Sequence, residues 1–473
     1  MRANPSMKAR LLALLQEAEE PRLLVAIFVF VLTFALRIRG VGSHFILLGD
    51  QIRDWSIALK PFTQLPLVGP PTHVGGYTIG PAFYWILWSI RVGVGPFFQN
   101  LPHAGGIGQA AIQSAADAIL LMAIWRRTKS ASIALAIIVL VATASFDLSL
   151  AALVWNPTMG TALAKIATAA ILLDWHRGSH LRALATTAVA WSAVQAYTGA
   201  VFVAVGVFAA MLADPLIQRD WRLTGRNVLA IAFAVALLQL PYVAHQITHH
   251  FQDQAMGAVT DGLMRVLSGE RSPEVAKSID GYVNAVRYIQ IDPWSLPRAG
   301  WVLLVCCGIV AVRYYKDPAF LSVMLLPQLA AIAGYALFLA PLDNYYYLSL
   351  MPAAVLTCVL AVTAIATAIP LPRVARAIAI LLLAGALALV PGRIRHERVM
   401  GRMPEYGLLV DASKRIQRRG EPMRAIETDF TLPPTADPEF LFEVLGGRID
   451  RKARWICLIR ADGSLSYREV VGS

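Results

Sequence analysis

Two carboxylates and an arginine lie within five residues in the stretch Gly49-Asp50-Gln51-Ile52-Arg53-Asp54-Trp55. A carboxylate takes a proton from an attacking hydroxyl, and a guanidinium forks onto phosphate oxygens. The set therefore suits moving a group off a phosphate. Arg53, three residues after Asp50, shares its face if residues 50–60 form an interfacial helix. Asp54 pairs with Arg53 or joins Asp50 on a divalent ion such as Mg or Mn. Gln51 stands where a further acid would strengthen such a metal site, so a metal is optional and no cofactor is required. Read locally, Asp-x-x-Arg-Asp is also an ordinary helix start with a solvated ion pair. A second polar and aromatic stretch runs from Gly75 through Tyr77, Gly80-Pro81 and Tyr84 to Trp85. Tyr77 and Tyr84 are candidate sugar contacts, although Tyr84, Trp85 and Trp88 equally fit an aromatic belt at a membrane surface.

The elements that must hold these residues are membrane helices. Of 473 residues 57% are hydrophobic and 15% charged, and the mean hydropathy is +0.57, the composition of a polytopic membrane protein. The net charge of +12 does not indicate nucleic acid, because Lys and Arg gather in short connections between apolar stretches. A crossing needs roughly 20 apolar residues, and about eleven stretches approach this. They are 23–41, 106–125, 131–149, 158–174, 183–197, 199–213, 227–245, 299–314, 318–340, 345–366 and 376–393. The segment 82–97, with Arg91, Gly93, Gly95 and Pro96, reads as a helix at the boundary. The pair at 183–213 is either two short helices or one long one broken at Tyr197-Thr198-Gly199.

Basic clusters set the orientation. With residues 1–22 cytoplasmic, Arg126-Arg127, His176-Arg177, Arg219 to Arg226, Arg313 to Lys316 and Arg373 to Arg376 all fall inside. Loops 42–105 and 246–298 and the tail 394–473 then face outward, which is periplasmic in a diderm inner membrane. The second large loop contributes Arg265 and Arg287 as further phosphate contacts. The tail is charged, with helical patterns at 406–419 and 437–446, a strand-like 425–430 and a hairpin turned by Asp462-Gly463. It reads as a small α+β domain after the transmembrane domain 23–393. Cys306, Cys307, Cys358 and Cys457 form no disulfide or zinc pattern. His245, His249 and His250 read as a solvated face, since no acid is spaced to complete a metal site.

Two charges fall inside apolar stretches. Asp117 and Lys165 lie on stretches that run in the same direction, and their depths differ by about 6 Å. A lone charge there is costly, so the two are expected to pair. The alternative is that Lys165 reaches the donor phosphate and Asp117 finds hydroxyls.

The order of one span, an outer loop centred on an acid, many further spans and a soluble outer domain resembles the GT-C glycosyltransferases. The nearest branch is the ArnT-like and Rgt-like one, related to protein O-mannosyltransferases. The pieces that carry the resemblance are Gly49 to Asp54, Gly75 to Trp85, Trp155-Asn156-Pro157, Leu240-Pro241-Tyr242 and Tyr345-Tyr346-Tyr347-Leu348 with Pro352. The resemblance implies an all-α polytopic enzyme with a small C-terminal α+β domain. Such an enzyme transfers a hexosyl or pentosyl group from a polyprenyl-phosphate donor to a lipid, polysaccharide or protein acceptor. It implies that Asp50 is the essential acid and Arg53 its neighbouring arginine. Asp54, Tyr77, Tyr84, Asn156, Gln195, Tyr197, Arg265, Arg287, Tyr345 and Tyr346 are the expected substrate contacts. Asn156 also fits a helix start with Pro157 in its first turn, and Gln195 and Tyr197 also fit groups that satisfy a broken helix. Gln51 replaces the Glu of many members, and Gly80-Pro81 replaces the Lys-Pro of aminoarabinose transferases, which argues against that sugar. A transporter or flippase of lipid-linked or small polar substrates is the alternative. No internal repeat supports it, and the asymmetric layout favours the enzyme.

Overall fold

Runs rich in Ala, Leu, Ile and Val satisfy their own backbone only as helices when water is absent, and helices dominate residues 22–397 of this chain. The computed structural model describes residues 22–72, 75–291, 299–337, 343–368, 372–397 and 402–470. The expected cytoplasmic segment up to residue 21 and the end of the second large loop, 292–298, lie outside the described residues.

Among the described residues six helices are long and apolar enough to cross a membrane: Leu23–His44, Pro102–Thr128, Thr198–Ile217, Trp221–Thr248, Asn344–Ala368 and Arg373–Glu397. Pro318–Met324 and Leu326–Leu337, bent by 44°, make a seventh if counted as one span. The remaining stretches of the eleven are helical but shorter: Ala131–Ala142, Asn156–Leu172, His180–Ala196 and Ala299–Arg313. The protein is thus a multi-pass membrane protein with fewer full-length spans than apolar stretches. Tyr197-Thr198-Gly199 does separate two helices, His180–Ala196 and Val201–Ile217.

The stretch 131–149, read as one span, is two helices, Ala131–Ala142 and Ser145–Leu150. Two bonds close the end of the first of them. Thr143 Oγ1 donates to the Val139 carbonyl at 2.6 Å, and Arg393 Nη1 donates to the Leu140 carbonyl at 2.8 Å, a cation on the last carbonyls of the helix. Beyond the break, Asp147 turns into the bundle.

There it completes a charge cluster larger than the sequence suggested. Lys165 Nζ lies 2.8 Å from Asp117 Oδ1, the expected pair. Arg37, from the first span, reaches Asp117 Oδ2 at 2.6 Å and Asp147 Oδ2 at 2.5 Å. Gln113 Oε1 accepts from Lys165 and Ser114 Oγ from Arg37. Two cations and two anions, all buried, join the Leu23–Ile38, Pro102–Thr128, Ser145–Leu150 and Asn156–Leu172 helices. Such a group is tolerated in an apolar interior because it is charge-balanced and hydrogen-bonded.

The first large loop is itself ordered into the helices Gly49–Leu59 and Ala82–Gly93. It packs closely on Pro102–Thr128, where a Cβ at Gly105 would lie 2.6 Å from the Trp55 ring and one at Gly106 3.2 Å from the Phe45 ring. The tail forms helix Glu405–Arg418, strand β1 Met423–Thr428, helix Pro438–Val444, and strands β2 Trp455–Ile459 and β3 Leu465–Glu469. The sheet order is β1-β2-β3, with β1 parallel and β3 antiparallel to β2. Gly463, at φ 80°, allows the β2–β3 turn. Tyr406, Leu409, Met423, Leu441 and Cys457 share one apolar core with Phe45, Leu47, Trp55, Phe83 and Tyr84. The small domain is therefore seated on the first loop.

Candidate functional site

The Gly49–Leu59 helix begins after an extended Leu48, whose side chain offers no cap. Gln51 compensates: its Oε1 accepts from the Leu48 amide at 3.1 Å, and its Nε2 donates to the Val154 carbonyl at 3.2 Å. Gln51 is thus a buried strut. Trp55, on the same helix, donates to the Asn100 carbonyl at 2.6 Å.

This geometry puts Asp50, Arg53 and Asp54 together as the spacing implied. Arg53 Nη1 lies 2.8 Å from Asp50 Oδ1, and Arg53 Nε 2.8 Å from Asp54 Oδ1. Tyr84, from the Ala82–Gly93 helix, donates to the same Asp54 oxygen at 3.0 Å. The two acids differ sharply in exposure: the Asp50 side chain is 57% exposed and that of Asp54 not at all. Burial pushes the Asp54 carboxyl up to about 6, against the pull of Arg53 and the Tyr84 hydroxyl. Burial alone would lower the Arg53 guanidinium, but its bond to Asp54 and the charges around it hold it above its ordinary value. Burial and the Asp54 charge raise the Tyr84 phenol, which keeps it a donor.

An aromatic cluster gathers around Tyr345 and Trp155. Tyr345 lies within electrostatic reach of Asp50, stacks on Tyr346 with centroids 4.7 Å apart and meets Trp155 at 5.3 Å. Tyr197 donates to the Tyr345 carbonyl at 3.0 Å, and Asn156 to the Ala196 carbonyl at 3.2 Å. Gln109 fixes Trp155 from both sides, donating to its carbonyl at 3.2 Å and accepting from its amide at 3.3 Å. Asn156, Tyr197, Tyr345 and Tyr346 are thus gathered around Trp155, with Tyr345 feeling the Asp50 charge.

Gln195 and Tyr77 belong to a second arrangement, which holds the strap 75–81. Gln195, fully buried, donates to the Leu238 carbonyl at 2.6 Å and packs on Gly80, where a Cβ would lie 2.4 Å from its amide carbon. Gln239 donates to the Ile79 carbonyl at 2.9 Å. Asp253, passed over in the sequence, accepts from Tyr242, Gln246 and the Ala255 amide at 3.0, 3.1 and 2.9 Å. It also accepts from the Tyr77 amide at 3.4 Å. Tyr77 remains exposed beside His245. Arg265 ends the Gln254–Leu267 helix on the surface, and Arg287 opens the π turn Arg287–Ile291. Among the described residues neither is bonded to the Asp50 cluster. His245 and His249 stack with ring centroids 3.9 Å apart, and among the described residues no group of three metal-ligating side chains forms.

The arrangement offers an exposed carboxylate held by a guanidinium, and a stacked aromatic pair that feels its charge. This can accept a proton from a hydroxyl, hold a phosphate and lie against a sugar face.

No family model and no curated protein matches this sequence. Solved structures do match. ArnT from Cupriavidus metallidurans bound to undecaprenyl phosphate superposes with a TM-score of 0.54 at 13% identity, over 89% of this chain and 83% of that one. The apo state of the same protein gives 0.54 at 11% identity, over 90% and 84%. The archaeal oligosaccharyltransferase AglB from Archaeoglobus fulgidus gives 0.44 at 12% identity, over 95% and 74%. The chain has the GT-C fold that its motifs suggested.

Proposed function

We propose that this protein is an integral-membrane glycosyltransferase that moves a hexosyl or pentosyl group from a polyprenyl-phosphate donor to a lipid, glycan or protein acceptor. The positive-inside pattern puts the reaction on the outer face of the cytoplasmic membrane, with the N-terminus inside and the C-terminal domain outside. The observation that carries the reading is the exposed Asp50 carboxylate held 2.8 Å from Arg53, in a fold shared with a protein solved bound to undecaprenyl phosphate.

In this reaction the acceptor oxygen attacks the anomeric carbon, and the bond from that carbon to the donor phosphate oxygen breaks. Asp50 takes the acceptor proton, and the polyprenyl phosphate leaves with the bonding electron pair. Arg53 has N–H groups beyond the two spent on Asp50 and Asp54, and these meet the departing phosphate. Tyr345 and Tyr346 bear on the sugar, and the apolar bundle takes the lipid tail. Both carboxylates already hold Arg53, so the positive charge at this position comes from the guanidinium. Full activity in chelator is the expected result.

Mass spectrometry of envelope lipids and polysaccharides, with and without the gene, tests the assignment. Loss of one sugar from one acceptor, with its polyprenyl-linked donor accumulating, supports transfer. A transporter would leave the purified protein unable to release polyprenyl phosphate from any such donor.

A further inference from the structure

The first amides of a helix have no partner inside it and need acceptors from elsewhere. At the start of the Gly49–Leu59 helix the N-cap is Leu48, which has no such acceptor, and the next amide in line is that of Gly49, adjacent to Asp50. It donates to Thr435 Oγ1 at 2.9 Å, a residue 386 positions further along the chain. The hydroxyl is presented by a stiff support. Thr435 lies in a turn closed by the Ala436 amide on the Pro433 carbonyl at 2.9 Å, with two prolines restricting the backbone before it. Asp437 follows and caps the Pro438–Val444 helix, which is anchored by buried Phe440, Leu441 and Phe442. Gly49 is fitted to this approach, since a Cβ there would lie 3.2 Å from the Thr435 Cβ.

We infer that Thr435 is a positioning residue for Asp50, through which the C-terminal domain holds the acid at its working place. The inference rests on the transferase reading of Asp50. Thr435 touches no reacting atom in this account; it supplies the cap that Leu48 cannot, and so fixes the first turn and the carboxylate on it. A small displacement of a positioned base lowers turnover while leaving donor binding intact.

The test uses the purified full-length protein with Thr435→Val, Thr435→Ser, Gly49→Ala and the Thr435→Val/Gly49→Ala double variant. With an envelope-lipid extract supplying the acceptor, release of polyprenyl phosphate from a synthetic polyprenyl-phosphate hexose gives kcat and the donor KM, and deuterium exchange over residues 47–55 reports the first-turn amides. Thr435→Val should lower kcat about five-fold, the effect of a lost cap, with KM unchanged and exchange accelerated. Thr435→Ser should restore both. The double variant should be no worse than the poorer single one, because both changes break one contact. Wild-type kcat in Thr435→Val, or equal loss in Thr435→Ser, would overturn the inference. A wild-type protein that releases no polyprenyl phosphate defeats the transferase reading and the role in transfer with it. The exchange rates then separately decide whether Thr435 holds the helix.

Discussion

Two of the acid–base clusters among the described residues are built from similar groups and left in opposite conditions. Arg37, Lys165, Asp117 and Asp147 are closed: two charges of each sign, all buried, with Gln113 and Ser114 taking further hydrogen bonds. Asp50, Arg53 and Asp54 are open: one acid is buried with Tyr84, while the other is 57% exposed and shares its arginine. A closed cluster in lipid has little left to offer a substrate and holds helices together. An open one keeps donors and acceptors in reserve. Charge inside a membrane protein therefore does not by itself mark the chemistry; what separates the two clusters is the exposure of a held carboxylate.

The sharpest break of this contrast is predicted in the closed cluster. Asp117→Asn leaves Arg37 and Lys165 with Asp147 alone, and should cost about 3–5 kcal/mol, read as a fall in melting temperature in detergent. Adding Lys165→Gln should recover part of that loss by restoring the charge balance. A single variant as stable as the wild type would remove the structural role of the cluster. Asp50→Asn should behave in the opposite way, with the melting temperature kept and turnover lowered by a factor on the order of 10² or more. Arg53→Lys retains the charge but loses the planar fork, so kcat should fall about ten-fold. Unchanged donor affinity and turnover in that variant would take the phosphate away from Arg53.

The smallest effect concerns pH. Asp54 titrates near 6, so its hold on Arg53 weakens as pH falls through that value. Between pH 7 and 5.5 activity should drop about four-fold, the change in ionised fraction, and Asp54→Asn should remove this limb. The sign for stability is reversed. A carboxyl whose folded value is raised binds its proton more tightly in the native state, so its contribution improves as pH falls from 6 toward 4. Activity and stability moving together across this window would contradict the assignment.

Local spacing made part of this legible. Asp50 and Arg53, three residues apart, meet on one helix face, and Asp117 and Lys165 were matched by depth alone. The alternation in 455–470 announced the hairpin of β2 and β3. Arg37 and Asp147 were missed for different reasons. Arg37 sits near the end of a span, where a cation commonly reaches toward water. Asp147 was absorbed into an apolar run whose break carries no glycine or proline, and whose last carbonyls are met by Arg393 from a distant helix. Gln51 and Asp253 took their roles from partners on other elements. Thr435 acts across most of the chain length, a pairing that no local pattern encodes.

The central claim is that the exposed acid does the chemistry, and replacing its function without its side chain tests this most directly. Asp50→Ala should release polyprenyl phosphate from a polyprenyl-phosphate sugar only slowly, and its open site should admit a small carboxylate. Added formate should raise the rate in proportion to its concentration, by about ten-fold or more, while leaving Asp117→Asn unaffected. An Asp50→Ala protein that turns over at the wild-type rate, or one whose slow rate is indifferent to formate, would contradict the account.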